Sequence, residues 1–106
     1  MLRTLLSLML ACSVASPALA DLALATSQNC LGCHSVDRKK VGPAFKDIAA
    51  KYQADKTAAD RLANTIRKGS VCKSGVCNWG PLPMPANERV SEADAKKLAA
   101  WVLTLK

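Results

Sequence analysis

Two cysteines three residues apart, followed at once by a histidine, constrain this chain more than any other feature. Cys30, Cys33 and His34 form the pattern Cys-x-x-Cys-His. This pattern is typical of covalent haem attachment, because each thiol can add across one haem vinyl group while the adjacent imidazole reaches the iron. His34 is the only histidine in the sequence. We therefore predict one covalently bound haem c, with His34 as an axial ligand of the iron.

A single methionine remains for the second axial position. Met1 and Met9 lie in an N-terminal segment that we expect to be removed, which leaves Met84 alone in the mature chain. Met84 lies in the run Pro-Leu-Pro-Met-Pro, where prolines on both sides fix φ and remove backbone donors. Such a stiff loop suits a thioether held against an iron that it binds weakly, although a lone methionine ordinarily fills a gap in the core. One His and one Met ligand raise the potential of a haem, which suits an electron carrier.

The first twenty residues are expected to be a cleaved secretory signal peptide. Arg3 supplies a positive start, residues 5–11 form an apolar run, and an Ala-Leu-Ala cleavage site ends at Ala20. The apolar run is too short to span a bilayer as a helix. Residues 21–106 then form one small domain, which benefits from a covalent staple such as an attached haem.

The charge of the chain indicates its kind of partner. The formal net charge is +7 for the full sequence and becomes +6 once Arg3 is lost. A basic surface favours acidic protein partners and speeds docking to them. Nucleic acid is not an expected partner, because the charges are spread along the chain and the predicted export removes the opportunity.

The apolar residues repeat with helical spacing, and no stretch alternates for long enough to form a sheet. We therefore predict an all-α domain of about four helices. Gly69 should end the third helix, and Ser91 with Asp94 resembles a capping box that begins the fourth. Between Gly69 and Val90, glycines and prolines predict an irregular loop. The predicted helices cover residues 22–29, about 57–68 and the segment after Ser91, and a further helix carries the apolar face Phe45, Ile48, Ala49 and Tyr52.

The two other cysteines outside the predicted signal peptide, Cys72 and Cys77, allow three interpretations. Together with Cys30 and Cys33, Cys72 and Cys77 could form a four-thiolate zinc site. The histidine directly after the first pair and the predicted export argue against zinc, because spare cysteines of exported proteins usually form disulfides. We predict a Cys72–Cys77 disulfide that closes a small surface loop; a redox-active thiol pair is the alternative.

Several motifs, in matching order, resemble the short-chain bacterial class I monohaem cytochromes c. Besides the haem motif these are Val-Gly-Pro-Ala at 41–44, Trp-Gly-Pro-Leu-Pro-Met-Pro at 79–85 and Trp-Val-Leu at 101–103. The resemblance covers essentially all of residues 21–106. It implies a small cytochrome c fold wrapped around one haem, and a monomeric periplasmic electron carrier of a respiratory or photosynthetic chain, not an enzyme. A haem enzyme or gas sensor would need an open sixth position, and the chain offers no second histidine for a distal base.

The resemblance also implies roles for further residues. The carbonyl of Pro43 would accept a hydrogen bond from the His34 ring, Trp79 would donate to a haem propionate, and Asn87 would bond near the Met84 sulfur and tune the potential. Two features depart from the family. Residues 71–78 look like an insertion, and the usual propionate-binding arginine of the third helix is replaced by Thr65, with Arg67 nearby.

An electron carrier of this kind should expose one haem edge within an apolar patch that basic residues surround. Basic residues around the patch would steer the protein to acidic partners. We expect the patch to consist of Leu31, Gly32, Pro81 and Leu82, ringed by Lys39, Lys40 and Lys73.

Overall fold

The computed structural model describes residues 17–106, with side chains from Asp21 onward. Most of the predicted signal peptide therefore lies outside the described residues. The described residues form four α-helices and one short 3₁₀ helix. In order these are α1 (Pro17–Ser27), the 3₁₀ helix (Cys30–Gly32), α2 (Phe45–Tyr52), α3 (Ala58–Lys68) and α4 (Glu92–Leu103). Residues 17–106 contain no strand, only two isolated β-bridges in one loop, so the predicted all-α class is confirmed.

Helix α1 begins earlier than predicted, at Pro17 instead of residue 22. Residues 18–24 are alanines and leucines apart from Asp21, with no glycine or proline among them, and proline is well tolerated in the first turn of a helix. The helix stops before Asn29, whose φ of 61° lies in the left-handed region. None of the helices within residues 17–106 is long and apolar enough to cross a membrane.

The ends of α3 and α4 follow the predicted signals. Gly69 adopts a φ of 82° directly after α3, a conformation that glycine adopts without a steric penalty. At the start of α4, the Ser91 hydroxyl oxygen accepts a hydrogen bond from the Asp94 backbone N–H at 3.1 Å. These caps set the lengths of the two helices that pack most closely together.

Helix α4 forms the centre of the core, since it contacts α1, α2 and α3. Its Trp101 ring meets the Phe45 ring of α2 edge-on, with 5.6 Å between ring centroids. Leu98 and Val102 of α4 are also buried. The inward-facing Leu62 and Ile66 of α3, by contrast, remain only half-buried, although both pack against this core. Their exposed surfaces line a cavity that lies between α3 and the remaining helices.

Candidate haem-binding site

The haem motif folds into a tight turn that brings its three reactive side chains together. The 3₁₀ helix continues into backbone bonds from the N–H groups of Cys33 and His34 to the carbonyl of Cys30, at 3.2 and 2.9 Å. Cys30 and Cys33 are half-buried and not bonded to one another. Burial raises the pKa of the Cys30 thiol. Both sulfurs are therefore available for covalent attachment of a cofactor.

The His34 imidazole is buried and held in one orientation. Its Nδ1 lies 2.7 Å from the carbonyl oxygen of Pro43, and its ring stacks on Phe45 with 5.1 Å between centroids. A carbonyl can only accept a hydrogen bond, so Nδ1 is the donor, which in a neutral imidazole leaves the lone pair on Nε2. This contact matches the one that the resemblance implied for Pro43, and it is the usual way in which a ligating histidine is oriented.

Gly42 lies directly against the His34 ring. A Cβ atom built on Gly42 would lie 2.6 Å from His34 Cε1, far inside van der Waals contact. The backbone N–H of Gly42 also donates a hydrogen bond to the Cys33 carbonyl at 2.8 Å. A side chain at this position would push the ring away from Pro43.

We expect Gly42→Ala to destabilise the protein by about 1–3 kcal/mol, because the extra methyl group overpacks a buried site. Denaturant unfolding of the haem-loaded protein measures this loss of stability. The reduction potential of the haem should also shift, because the imidazole turns. Gly32→Ala is the matched control, since a Cβ there meets nothing within 4 Å. Equal stability of the two variants would show that Gly42 does not constrain His34.

The loop that carries Met84 is tied to the end of α3. The Met84 N–H donates to the Ser70 hydroxyl at 2.7 Å, and the Ser70 N–H donates to the Met84 carbonyl at 2.9 Å. A Cβ on Gly69 would lie 2.8 Å from the Met84 carbonyl oxygen, so only glycine permits this close approach. The sequence analysis missed Ser70 because its partner lies 14 residues away.

His34 and Met84 line the same space. Two cavities, of about 140 and 70 Å³, lie side by side and share these two residues in their walls. The larger, outer cavity opens toward Trp79, and the smaller, inner cavity reaches the core at Trp101. Other residues common to both walls are Ile48, Leu62 and Thr65. Together the cavities form a slot between an imidazole and a thioether.

The residues of this slot fit a haem. Cys33 lines the outer cavity and Cys30 the inner one, so one thiol faces each part. The inner cavity is apolar, with Phe45, Ile66 and Leu98 in its wall. A flat apolar macrocycle would also cover the half-buried surfaces of α3. Two thiols, one imidazole and one thioether are the donor set of a covalently attached haem.

Trp79 and Asn87 lie in different surroundings. Trp79 is half-buried in the wall of the outer cavity. Asn87 lines neither cavity; its Nδ2 donates to the carbonyl of Gln28 at 3.3 Å, and its N–H donates to the Ile66 carbonyl at 3.1 Å. Asn87 therefore ties the Met84 loop to Gln28, directly after α1, and to Ile66 of α3, and its contact with the Met84 sulfur stays a prediction.

Thr65 occupies the position where the resemblance led us to expect an arginine. Thr65 lines both cavities, and its hydroxyl donates to the carbonyl of Arg61 at 3.0 Å. Arg67 lines neither cavity, because its Nε donates to the carbonyl of Val90 at 3.0 Å. Arg67 therefore does not take the place of the missing arginine in this conformation.

Cys72 and Cys77 are joined by a disulfide, with 4.4 Å between their Cα atoms. They enclose a two-residue turn at Ser74 and Gly75, both with positive φ, which is closed by hydrogen bonds between Lys73 and Val76. Cysteines bonded to one another cannot be zinc thiolates. Within the described part of the chain, no group of three or more His, Cys, Asp or Glu side chains is placed to hold a metal ion.

We expect a Cys72→Ser/Cys77→Ser variant to lose about 1–3 kcal/mol of stability while keeping its haem, because a short closed loop acts mainly on the unfolded state. Denaturant unfolding measures the loss. Alkylation of the native protein without reductant, read by mass spectrometry, should modify neither residue of the unsubstituted chain. Two alkylated sulfurs in protein isolated after export would contradict the disulfide.

The outer cavity opens beside exposed apolar side chains. Leu82 and Val41 both line it, and they are 63% and 59% exposed. Leu31 is half-buried, and its carbonyl accepts a hydrogen bond from Lys40 Nζ at 2.8 Å. The sequence analysis named Leu31 and Leu82 but missed Val41, which it had considered only as part of a motif.

Comparison with known proteins identifies the fold. The family model for cytochrome c matches residues 22–106. Cytochrome c-552 of Nitrosomonas europaea is 57% identical over 93 residues, which cover 88% of this chain and 85% of that protein. Cytochrome c-551 of Allochromatium vinosum is 50% identical over 95 residues, covering 90% and 96%. The crystal structure of Nitrosomonas europaea cytochrome c552 superposes with a TM-score of 0.74 at 53% identity, over 80% of this chain and 99% of that one.

The chain belongs to the cytochrome c family. The resemblance noted in the sequence is thereby confirmed, as is the small all-α cytochrome c fold. Members of this family carry one covalently bound haem c and transfer electrons to and from redox proteins, and this chain is a haem-based electron carrier of that kind.

Proposed function

We propose that Cys30 and Cys33 attach the haem, that His34 and Met84 are its two axial ligands, and that the protein shuttles single electrons between redox complexes of a respiratory or photosynthetic chain. The proposal includes export: residues 1–20 are removed and residues 21–106 act in the periplasm as a monomer.

One observation carries this proposal: a single slot is lined by the only histidine and by the only methionine of residues 21–106. A haem held by these residues would supply reversible one-electron chemistry. An axial pair that fills both positions leaves no site for a substrate, which favours a carrier over a haem enzyme.

The protein residues keep that ligand set in place. The Pro43 carbonyl holds the proton on His34 Nδ1, so Nε2 stays available to the iron. The two hydrogen bonds between Ser70 and Met84 hold the loop of a weak thioether ligand. The apolar inner wall excludes water, and low polarity around a haem is one determinant of its potential.

The visible spectrum of the purified, haem-loaded protein tests the proposal. We expect sharp c-type bands on reduction and, in the ferric state, the weak far-red band of methionine–iron ligation. Intact-mass analysis of the same sample should give an N-terminus at Asp21 with one haem attached. Absence of the far-red band, or ready binding of carbon monoxide by the reduced protein at neutral pH, would contradict His/Met ligation.

Charge steering gives a separate prediction. Lys39 is exposed and lies two residues before Val41, which lines the outer cavity, and the predicted mature chain carries +6. We expect oxidation of the reduced protein by anionic ferricyanide to slow several-fold as salt rises from about 10 to 200 mM, because ions screen the attraction. A cationic cobalt complex should show the opposite trend.

A charge-reversal pair locates the steering charge. Lys39→Glu should slow the oxidation of the reduced protein by ferricyanide more than Lys97→Glu does. Lys97→Glu places the same change of charge on an exposed position of α4. Stopped-flow rates at low salt make the comparison. Equal effects of the two variants, or rates independent of salt, would refute steering by the cavity rim.

A further inference from the structure

A lysine lies over the tryptophan of the outer cavity. Lys51 Nζ, near the end of α2, is 4.5 Å from the centroid of the Trp79 ring and 5.7 Å from that of Tyr52. These distances lie within the range of cation–π attraction. Both rings line the outer cavity, so the ammonium group lies next to two residues of that wall.

The outer cavity is the polar end of the slot. Ser70, Asn78 and the Trp79 indole contribute to its wall, whereas the inner cavity is bounded almost wholly by apolar side chains. Haem c has one edge that carries two propionate carboxylates. Burying a carboxylate among apolar groups is costly, so the propionates should face the outer cavity and the Trp79 side.

The two arginines of α3 are engaged elsewhere. Arg61 forms an ion pair with Asp55, and the Arg67 Nε donates to the Val90 carbonyl. Thr65 supplies no charge. Within residues 21–106, Lys51 has no carboxylate within ion-pair distance. Its positive charge is therefore not compensated by the protein.

We propose that Lys51 supplies the positive charge that faces the haem propionates and that it positions Trp79 beside them. This inference rests on the proposed haem site and adds to it the group that replaces the missing arginine of α3. A positive charge near the haem stabilises the reduced state, which carries one more electron. Lys51 therefore raises the reduction potential of the bound haem.

Three variants of the haem-loaded protein test this role. Lys51→Met removes the charge, Lys51→Arg keeps both the charge and the contact with the ring, and Lys97→Met removes one exposed charge from α4 as the control. The readout is the equilibrium between each variant and a reference redox couple at low salt. We expect Lys51→Met to shift that equilibrium toward the oxidised protein by roughly two- to sixteenfold, the effect of a unit charge across about 10 Å at dielectric constants between that of water and about 20.

Lys51→Arg should restore the equilibrium of the unsubstituted protein, Lys97→Met should change it less than Lys51→Met does, and the Lys51→Met shift should shrink at high salt because Lys51 is exposed. Equal shifts in Lys51→Met and Lys97→Met, or no rescue by arginine, would overturn the proposal. The far-red band distinguishes a failure of the Lys51 proposal from a failure of the proposed His/Met ligation. A band present in every variant with an unchanged equilibrium rejects only the role of Lys51, whereas a band absent from the unsubstituted protein rejects the His/Met site itself.

Discussion

Met84→Ala is expected to abolish the far-red band of the ferric protein and to lower the midpoint potential by on the order of 0.1–0.3 V, part of the roughly 0.8 V range that axial ligands set. The thioether favours ferrous iron, and its loss opens the sixth position to water and to external ligands. The reduced variant should therefore bind carbon monoxide, which the unsubstituted protein should not. Spectra and a redox titration measure these three changes.

Leu82→Ala is the matched control for the methionine variant. Leu82 lies two residues away in the same proline-rich loop and lines the same cavity, but its side chain is mostly exposed and offers no ligand atom. We expect it to keep the far-red band. If Met84→Ala also kept the band and its potential, another residue would have to ligate the iron, and the proposed axial pair would be wrong.

Cys30→Ser/Cys33→Ser should yield a chain with no covalently attached haem and with little helical structure at 25 °C. Without the haem, α3 faces an open slot, and the half-buried Leu62 and Ile66 have no apolar partner on that side. The free energy of unfolding of a domain of this size is small, so the loss of a large apolar group from its core is expected to unfold it. Intact mass and far-ultraviolet circular dichroism measure the two outcomes.

The second cysteine pair provides the control for this variant. Cys72→Ser/Cys77→Ser removes the same number of sulfurs but leaves the slot intact, so it should retain haem and helices. Each single variant, Cys30→Ser or Cys33→Ser, should keep one thioether and show a shifted reduced band in alkaline pyridine. Covalent haem on the Cys30→Ser/Cys33→Ser chain would refute attachment at this motif.

The local features of the fold could be predicted from the sequence. The span of α2, the Ser91 cap of α4 and the stop of α3 at Gly69 all follow from side chains close to one another in the chain. The predicted start of α1 was wrong, because no glycine or proline separates residue 22 from the residues directly before it. Helix ends without a cap or a breaker are poorly determined by local sequence.

The candidate site divides in the same way. The turn at Cys30–Gly32 is formed by residues adjacent in sequence, and His34 Nδ1 bonds to a carbonyl only nine residues further along the chain. Contacts of such short range can be predicted from the sequence. The partners of Asn87 and Arg67 lie 59 and 23 residues away, and neither was predicted. For Asn87 the resemblance implied a bond near the Met84 sulfur, while the structure shows one to Gln28.

The sequence by itself determined the chemistry of this protein: residues 21–106 hold the paired thiols of one Cys-x-x-Cys-His motif, one histidine and one methionine, in an order and spacing that suit one attached haem. These residues are identified by type and by local spacing, which do not depend on how the helices pack. Only the tertiary structure decided which groups surround the slot. It brought Ser70 to Met84, Gly42 against His34 and Lys51 over Trp79, because packing α2, α3 and the loop after α3 around one space sets distances that no local pattern specifies.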